Sequence, residues 1–527
     1  MSRYSAFLLG AALAFAGGCT LAPEYERPAA PVPDAWPDGQ ARPDAADGRE
    51  APLATELAWR EFVADARLAK LIETALAGNR DLRTAALNVE RARAYYGVAR
   101  AELWPAVDAA AGGSKQRIPA GVMGFGQALE IERYDVNLGV SSWEIDFFGR
   151  IRSLKERALQ EFLATEHARR GARIALVAEV AGVYLTLAAD RESLALAEAT
   201  LETQQAACDL IRRRFEVGLA TELDFRRAQT TVEAARVDIA FYTRLVAQGR
   251  NALNLLAGAP VPEELLPAGL GDVVPPVEIS PGVSSEVLLL RPDVLQAESG
   301  LKAANADIGV ARAAFFPRIS LTGAIGTASD ELKGLFESGS EAWNYGGRIV
   351  WPIFDLRTWS ALDVMKAQRE LAVARYEKAV QAAFREVADA LAARGTVAEQ
   401  LAAQEALVAA VAETHRLADT RYAKGIDSFL GVLDAQRTLN AARQGLIALR
   451  LAKLVNRVRL YACLLYTSDA ADDLLCVDLG GRRILQKKKH PPSTHRIILT
   501  TTDPPHTSRH PTNPSKHLHF IQLYLFV

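Results

Sequence analysis

Gly97-Val-Ala-Arg-Ala-Glu-Leu-Trp-Pro105 and Gly309-Val-Ala-Arg-Ala-Ala-Phe-Phe-Pro317 are two versions of one phrase, 212 residues apart. Other phrases repeat in the same order. Trp143-Glu-Ile145 returns as Trp351-Pro-Ile353 after 208 residues, and Arg214-Phe-Glu-Val-Gly-Leu219 returns as Arg421-Tyr-Ala-Lys-Gly-Ile426 after 207. Ala234-Ala-Arg236 returns as Ala441-Ala-Arg443, also after 207. Blocks in one order at nearly one offset mark an internal duplication. The chain therefore reads as two similar halves, 60–258 and 284–461, joined by a Pro/Gly-rich connector at 259–283.

Each half reads helix, strand, strand, very long helix, turn, helix. Leu68, Leu71, Ile72, Ala75 and Leu76 mark a short amphipathic helix that Gly78 ends, and Asn79 can cap the next. That next helix is expected to reach Trp104, where Pro105 breaks it, and its second copy to run from about Ser284 to Phe316. Strands follow each proline. Ile319, Leu321, Gly323 and Ile325 alternate with small polar residues, as do Tyr134, Val136, Leu138 and Val140, and Tyr345, Gly347, Ile349, Trp351 and Ile353. The apolar phase flips between Val140 and Trp143, which predicts a bulge or a strand end. Residues 106–114 make a weaker strand of Ala and Gly.

From Arg150 to Val217 and from Arg357 to Lys424 there is no proline and scarcely a glycine. Each run amounts to about 100 Å of helix at ~1.5 Å per residue. No single compact core buries a helix of that length, so it must pack sideways in a coiled coil or a barrel of helices. Gly218 and Gly425 end the two runs, and a further helical pattern follows each.

Charge is nearly balanced, at −2, with an isoelectric point near 6.5, which gives no footprint for nucleic acid. The four cysteines form no CxxC, and no catalytic, metal or phosphate motif is present, so neither an enzyme nor a metal protein is expected. The N-terminus is a targeting segment at 1–18. Arg3 precedes an apolar run of about eleven residues that is too short to span a bilayer. The run ends in Ala16-Gly17-Gly18-Cys19, which resembles a lipobox and implies a lipid on Cys19. Thr20 after it, where an Asp would be the alternative, resembles the sorting signal of bacterial lipoproteins sent to the outer membrane, and 19–59 reads as a lipid-anchored extension. No other stretch reads as a transmembrane helix, a test that a β-barrel escapes. At the other end, six of the eight histidines lie past residue 489. Cys463-Leu-Leu-Tyr-Thr-Ser-Asp-Ala-Ala-Asp472 resembles a translated sequencing adapter, so 462–527 is expected to be a foreign tail.

Four strands cannot close a membrane barrel, whose smallest examples have about eight, and lipid does not tolerate open edges. The strands must close between copies. Three copies would supply twelve strands and a wider bore than two. The lipobox with Cys19-Thr-Leu-Ala-Pro-Glu-Tyr-Glu-Arg-Pro28, the Gly97 and Ala303–Pro317 blocks, Trp143–Arg150, Leu290-Arg-Pro-Asp293 and Ala435-Gln-Arg437 resemble the outer-membrane factor family. These are the TolC/OprM-like ducts of tripartite exporters, and the match is to their lipoprotein branch. The resemblance implies a mostly α protein with membrane β-structure: a homotrimer with a 12-stranded β-barrel in the outer membrane and a long α-helical barrel in the periplasm. It implies a passive efflux channel working with a periplasmic adaptor and an inner-membrane pump, in place of a pore-less, lipid-tethered coiled coil. No cofactor is implied beyond the Cys19 lipid.

By the same resemblance Arg421 and Tyr422 hold a periplasmic gate closed, with Asp224 as their partner. Leu430 and Asp434 form an apolar ring and a carboxylate ring in the bore. Relatives often carry a second Asp where this chain has Gly431, which leaves the acidic ring thinner. Val217, Gly218, Leu219, Lys424, Gly425 and Ile426 are the tips that meet the adaptor. Trp143 and Trp351, at strand ends, suit an interfacial aromatic girdle.

Overall fold

A computed structural model of the chain describes residues 20–37, 57–120, 128–280 and 285–464. Cys19, the signal peptide and the expected tail past 464 lie outside the described residues. The first half consists of α1 (Ala66–Gly78), α2 (Arg80–Ala101), β1 (Asp108–Ile118), β2 (Leu129–Ile145), α3 (Arg150–Glu216) and α4 (Glu222–Ala257). The second consists of α5 (Pro292–Ala313), β3 (Arg318–Ser329), β4 (Glu341–Val350), α6 (Leu356–Ala423) and α7 (Phe429–Leu464). The duplication is visible in the element lengths. α2 and α5 have 22 residues each, α3 and α6 have 67 and 68, and α4 and α7 have 36 each.

Local chemistry sets the boundaries. Asp65 starts α1 by accepting the N–H groups of Arg67 and Leu68, and Asn79 starts α2 by accepting that of Leu82 at 2.9 Å. The second copy of this helix does not begin near Ser284 as expected. Ser285–Leu290 is a 3-10 segment, and the α-helix starts anew at Pro292. Proline lacks an N–H and holds Arg291 extended (φ −64°, ψ 140°), which suits a first helical position and not a helix interior. Both proline-terminated helices also end earlier than expected, at Ala101 and Ala313, in short turns ahead of the proline.

The main core lies at mid-height of the long helices. Tyr184, Leu185 and Leu187 of α3, Leu253 of α4, and Tyr376, Val380 and Val387 of α6 meet there with Leu68, Leu71 and Ile72 of α1, all nearly or fully buried. An 18-residue window of α3 is apolar enough to cross a bilayer, with mean hydropathy 1.6, but half of it is buried in the protein. The Phe62 ring stacks on Tyr461 with centroids 3.9 Å apart, and the Tyr461 hydroxyl donates to the Leu57 carbonyl. Ala462–Leu464, placed with the tail on sequence grounds, continue α7. Cys463 and Leu464 are buried, and the Arg291 guanidinium donates to the Cys463 carbonyl at 3.0 Å and to Glu386 at 2.9 Å.

Residues 20–34 form a strap that runs antiparallel along α5. Arg312 donates to the Leu21 carbonyl, Asn305 to that of Pro23, and Ser285 to that of Pro33. At its middle, Glu298, 3% exposed, accepts from the Tyr25 hydroxyl, from Arg27 in bidentate fashion and from Lys302. Burial raises the Glu298 carboxyl's pKa, but the ion pairs with Lys302 and Arg27 outweigh it and hold the carboxyl below its usual range.

Candidate functional site

The four strands form one antiparallel sheet in the order β1-β2-β3-β4, which leaves β1 and β4 as open edges. The register sorts its faces. Ala109, Ala111 and Gly113 lie beside Leu138, Val136 and Tyr134; across the sheet Leu138 lies beside Ile325, and Ile325 beside Trp343. Tyr345, Ile349, Leu321 and Ile319 share that apolar face. The opposite face carries Asp135, Asn137, Thr322, Asn344, Arg348 and small residues. An apolar face outward and a polar face inward is the pattern of a membrane barrel wall. For strands tilted about 45°, the apolar stretch from Tyr134 to Ile145 is about 25–30 Å tall, close to a hydrocarbon core.

The predicted bulge is present. Ser141 and Ser142 oppose Thr322 alone, between the pairs Val140–Gly323 and Trp143–Leu321. Trp143 donates its indole N–H to the Leu103 carbonyl at 3.3 Å, and Trp351 donates its own to Phe315 at 3.1 Å. Both acceptors stand two residues before a strand-opening proline, so each Trp ties the end of its strand to the helix–strand elbow of its own half. Trp351 and Ile353 lie past the end of β4, not within it as the alternation predicts, because no partner strand faces them in one chain. At the far end of the apolar face Trp343 stacks on Tyr345 at 5.5 Å, with Tyr134 on the same face. Sequence reading missed Trp343; its signal was that it shares the parity of Tyr345 and Ile349.

Away from the sheet, both hairpins turn through full Schellman motifs. Gly218 (φ +79°) donates to Phe215 and Leu219 donates to Arg214; Gly425 (φ +73°) donates to Tyr422 and Ile426 donates to Arg421. The left-handed residue is what glycine supplies at these tips. Val217, Leu219 and Ile426 are 68%, 77% and 59% exposed. Just behind the tips a second core joins the two hairpins: Cys208 and Ile211 of α3, Val232 of α4, and Phe429, Val432 and Leu433 of α7.

The residues expected to form a gate are gathered at this end, but within the chain Arg421, Tyr422 and Asp224 have other partners than those expected. The Arg421 guanidinium pairs with Asp427, at 2.5 and 3.1 Å, within its own turn. That pairing holds the Asp427 carboxyl below the usual range and raises Arg421. Asp224 meets neither Arg421 nor Tyr422 within the chain. It accepts from the Thr221 hydroxyl at 2.6 Å and from the Thr221 N–H, completing a capping box at the start of α4. The Thr221-x-x-Asp224 spacing was the signal for this. Tyr422 packs against Phe429 at 5.2 Å, and the Arg214 guanidinium lies 5.0 Å from its ring centroid, which links the two hairpins by a cation–π contact. Arg214 was also missed, although it is the repeat counterpart of Arg421. Leu430 is 49% exposed beside the buried Phe429, and Asp434 forms an exposed pair with Arg437. Among the described residues no His/Cys/Asp/Glu group could hold a metal ion.

Comparison with known proteins agrees with this geometry. The model of the outer membrane efflux protein family matches residues 71–259 and 283–464. The toluene efflux pump outer membrane protein TtgC of Pseudomonas putida is 47% identical over 449 residues, covering 85% of this chain and 92% of that protein. Outer membrane protein OprJ of Pseudomonas aeruginosa is 44% identical over 424 residues, covering 80% and 87%. Among solved structures, a membrane protein from Pseudomonas aeruginosa superposes with a TM-score of 0.78 at 42% identity, covering 85% of this chain and all of that one. The open-state MtrE outer membrane channel of Neisseria gonorrhoeae superposes at 0.75 with 38% identity, covering 85% and 98%. TtgC is named as the outer membrane protein of a toluene efflux pump, and MtrE as an outer membrane channel. An apolar-faced sheet on ~100 Å hairpins, shared with such channels, has one reading: the chain belongs to the outer membrane efflux protein family and is the outer-membrane channel component of a tripartite efflux system, seated in the outer membrane and reaching into the periplasm.

Proposed function

We propose that three copies of the chain close a 12-stranded barrel and a helical tunnel, and that the tunnel is gated at its periplasmic end by Arg421, Tyr422, Leu430 and Asp434. The observation that carries this is the sheet with two open edges, since an unpaired edge is not viable in lipid. Cargo passes without chemistry. The relatives named for toluene and antibiotics make apolar or amphipathic small molecules the cargo to test first. The exposed apolar tips, Val217–Leu219 and Lys424–Ile426, are the surface offered to the adaptor's helices.

Cys19 carries the lipid anchor in this reading. Its neighbours support it: the Leu21 carbonyl is held by Arg312, six residues before β3 begins, so the strap enters at the level of the strand bases. In this reading the lipid on Cys19 inserts into the inner leaflet of the membrane that the strands cross. Trp143 and Trp351 mark the same level.

At the gate, the Arg421–Asp427 pair keeps the second hairpin's turn compact, and Arg214 with Phe429 holds Tyr422 against the first hairpin. Asp434 and Leu430 are left exposed to line a bore. A carboxylate ring at a constriction favours cations. The test is single-channel recording in planar bilayers. Arg421→Ser combined with Tyr422→Phe is expected to raise conductance several-fold; conductance equal to wild type would remove these residues from the gate.

A further inference from the structure

We infer the strand register by which β4 of one copy pairs with β1 of the next, and with it a ladder of cations and aromatic rings on the lipid-facing seam. The inference rests on closure between copies, as proposed above. Its carrier is the duplication. The seam between two copies, β4 against β1, is the repeat counterpart of the β2–β3 seam inside one chain. The internal seam's register can therefore be transferred.

Two equivalences are needed. Residues of β1 and β3 correspond at 212, the offset of the proline blocks that lead into them. Asp108 pairs with Gly139, and its counterpart Ser320 pairs with Arg348, so before the bulge β2 and β4 correspond at 209. After the bulge they correspond at 208, as Trp143 and Trp351 do, because β2 holds one extra residue there and β4 does not. The internal pair Val140–Gly323 then becomes Ile349 against Ala111 of the neighbour. Trp143–Leu321, beyond the bulge, becomes Trp351 against Ala109, and Ile145–Ile319 becomes Ile353 against Val107. These pairs fall in one unbroken antiparallel register, although they were transferred with two different offsets. A wrong correspondence would have left a slip at the bulge. The register also supplies what Trp351 and Ile353 lack: their counterparts Trp143 and Ile145 are strand residues because β3 faces them.

The same register sets Tyr345 against Lys115 and Trp343 against Arg117 of the neighbour. All four side chains share the apolar face of the sheet. Within its own chain Lys115 bonds to Glu132, and Arg117 lies 3.9 Å from Glu130. Each cation would thus sit between a carboxylate on one side and an aromatic ring on the other, an arrangement that lets a charge stand at the rim of an apolar band. The Trp343–Tyr345 stack, 70% and 82% exposed in one copy, gains a partner.

The test is disulfide trapping in the full-length protein in native outer membranes. Directly opposed residues have Cα atoms about 4.5–5.5 Å apart, within disulfide reach, whereas a two-residue slip places them about 7–8 Å apart. Ile349→Cys with Ala111→Cys is expected to give a reductant-sensitive covalent trimer on a denaturing gel. Gly347→Cys with Gly113→Cys is expected to do the same, and each single variant should give none. Preferential trapping of Ile349→Cys with Gly113→Cys or with Ala109→Cys would overturn the register. So would an uncoupled protein that still migrates as a heat-labile trimer. A protein that migrates only as a monomer would instead overturn closure between copies. For the ladder, Tyr345→Ala and Lys115→Ala are each expected to lower the temperature at which the trimer dissociates, and the double variant by less than their sum; additive shifts would remove the aromatic–cation pair.

Discussion

Glu298 shows how much one side chain can organise in this protein. It is buried, yet four donors on Tyr25, Arg27 and Lys302 satisfy it, and they bind the N-terminal strap to α5. A buried carboxylate so paired is costly to break from one side. Its pKa is depressed from the ordinary 4.5, so its stabilisation is fully present above that pH and fades as pH falls through the folded value. Glu298→Gln is expected to cost about 2 kcal/mol at pH 7, the value of hydrogen bonds to a charged group. It should also flatten the acid limb of the melting-temperature profile measured by circular dichroism in detergent. None of this was legible beforehand, because Tyr25 and Glu298 lie 273 residues apart in the chain. Asp224 is the converse case. Its partner Thr221 was three residues away, yet the resemblance drew attention to a distant one.

At the scale of elements, the duplicated helices α2 and α5 are alike in sequence but not in surroundings. A Cβ at Gly309 would come within 2.9 Å of the Ala22 Cβ and backbone nitrogen, because the strap lies in that groove, and within 2.6 Å of the Ser153 hydroxyl on α3. A Cβ at its counterpart Gly97 would meet nothing within 4 Å. Gly97→Ala is therefore expected to be neutral or to stabilise by up to about 1 kcal/mol through helix propensity. Gly309→Ala is expected to lower the melting temperature, since backbone and not a flexible side-chain end must move. Equal responses at the two sites would show that the strap does not occupy its groove. The helices, strands, bulge and tip turns were readable because proline, glycine and period-2 alternation act over a few residues. The restart at Pro292 was readable too, and was missed only because the apolar run continues across it.

For the molecule as a whole, the proposed anchor and the proposed closure between copies are separate devices. The strap's described contacts include Asn305, Arg312 and Glu298 of α5, and the four strands make their sheet with one another and not with the strap. Cys19→Ala is thus expected to abolish incorporation of radiolabelled palmitate while leaving a heat-modifiable trimer in the outer membrane fraction. Loss of the trimer together with the label would mean that the lipid directs assembly.

The order of elements, their lengths, the duplication and the membrane-facing parity of the strands were determined by the sequence itself, because each depends on local backbone preference or on a periodic pattern. Tertiary structure decided which side chains meet: Arg421 with Asp427, Arg214 with Tyr422, the strap with Glu298, and the burial of Cys463 and Leu464 against Arg291. Contacts across hundreds of residues are set by how hairpins ~100 Å long lie against one another, and no local rule encodes that packing.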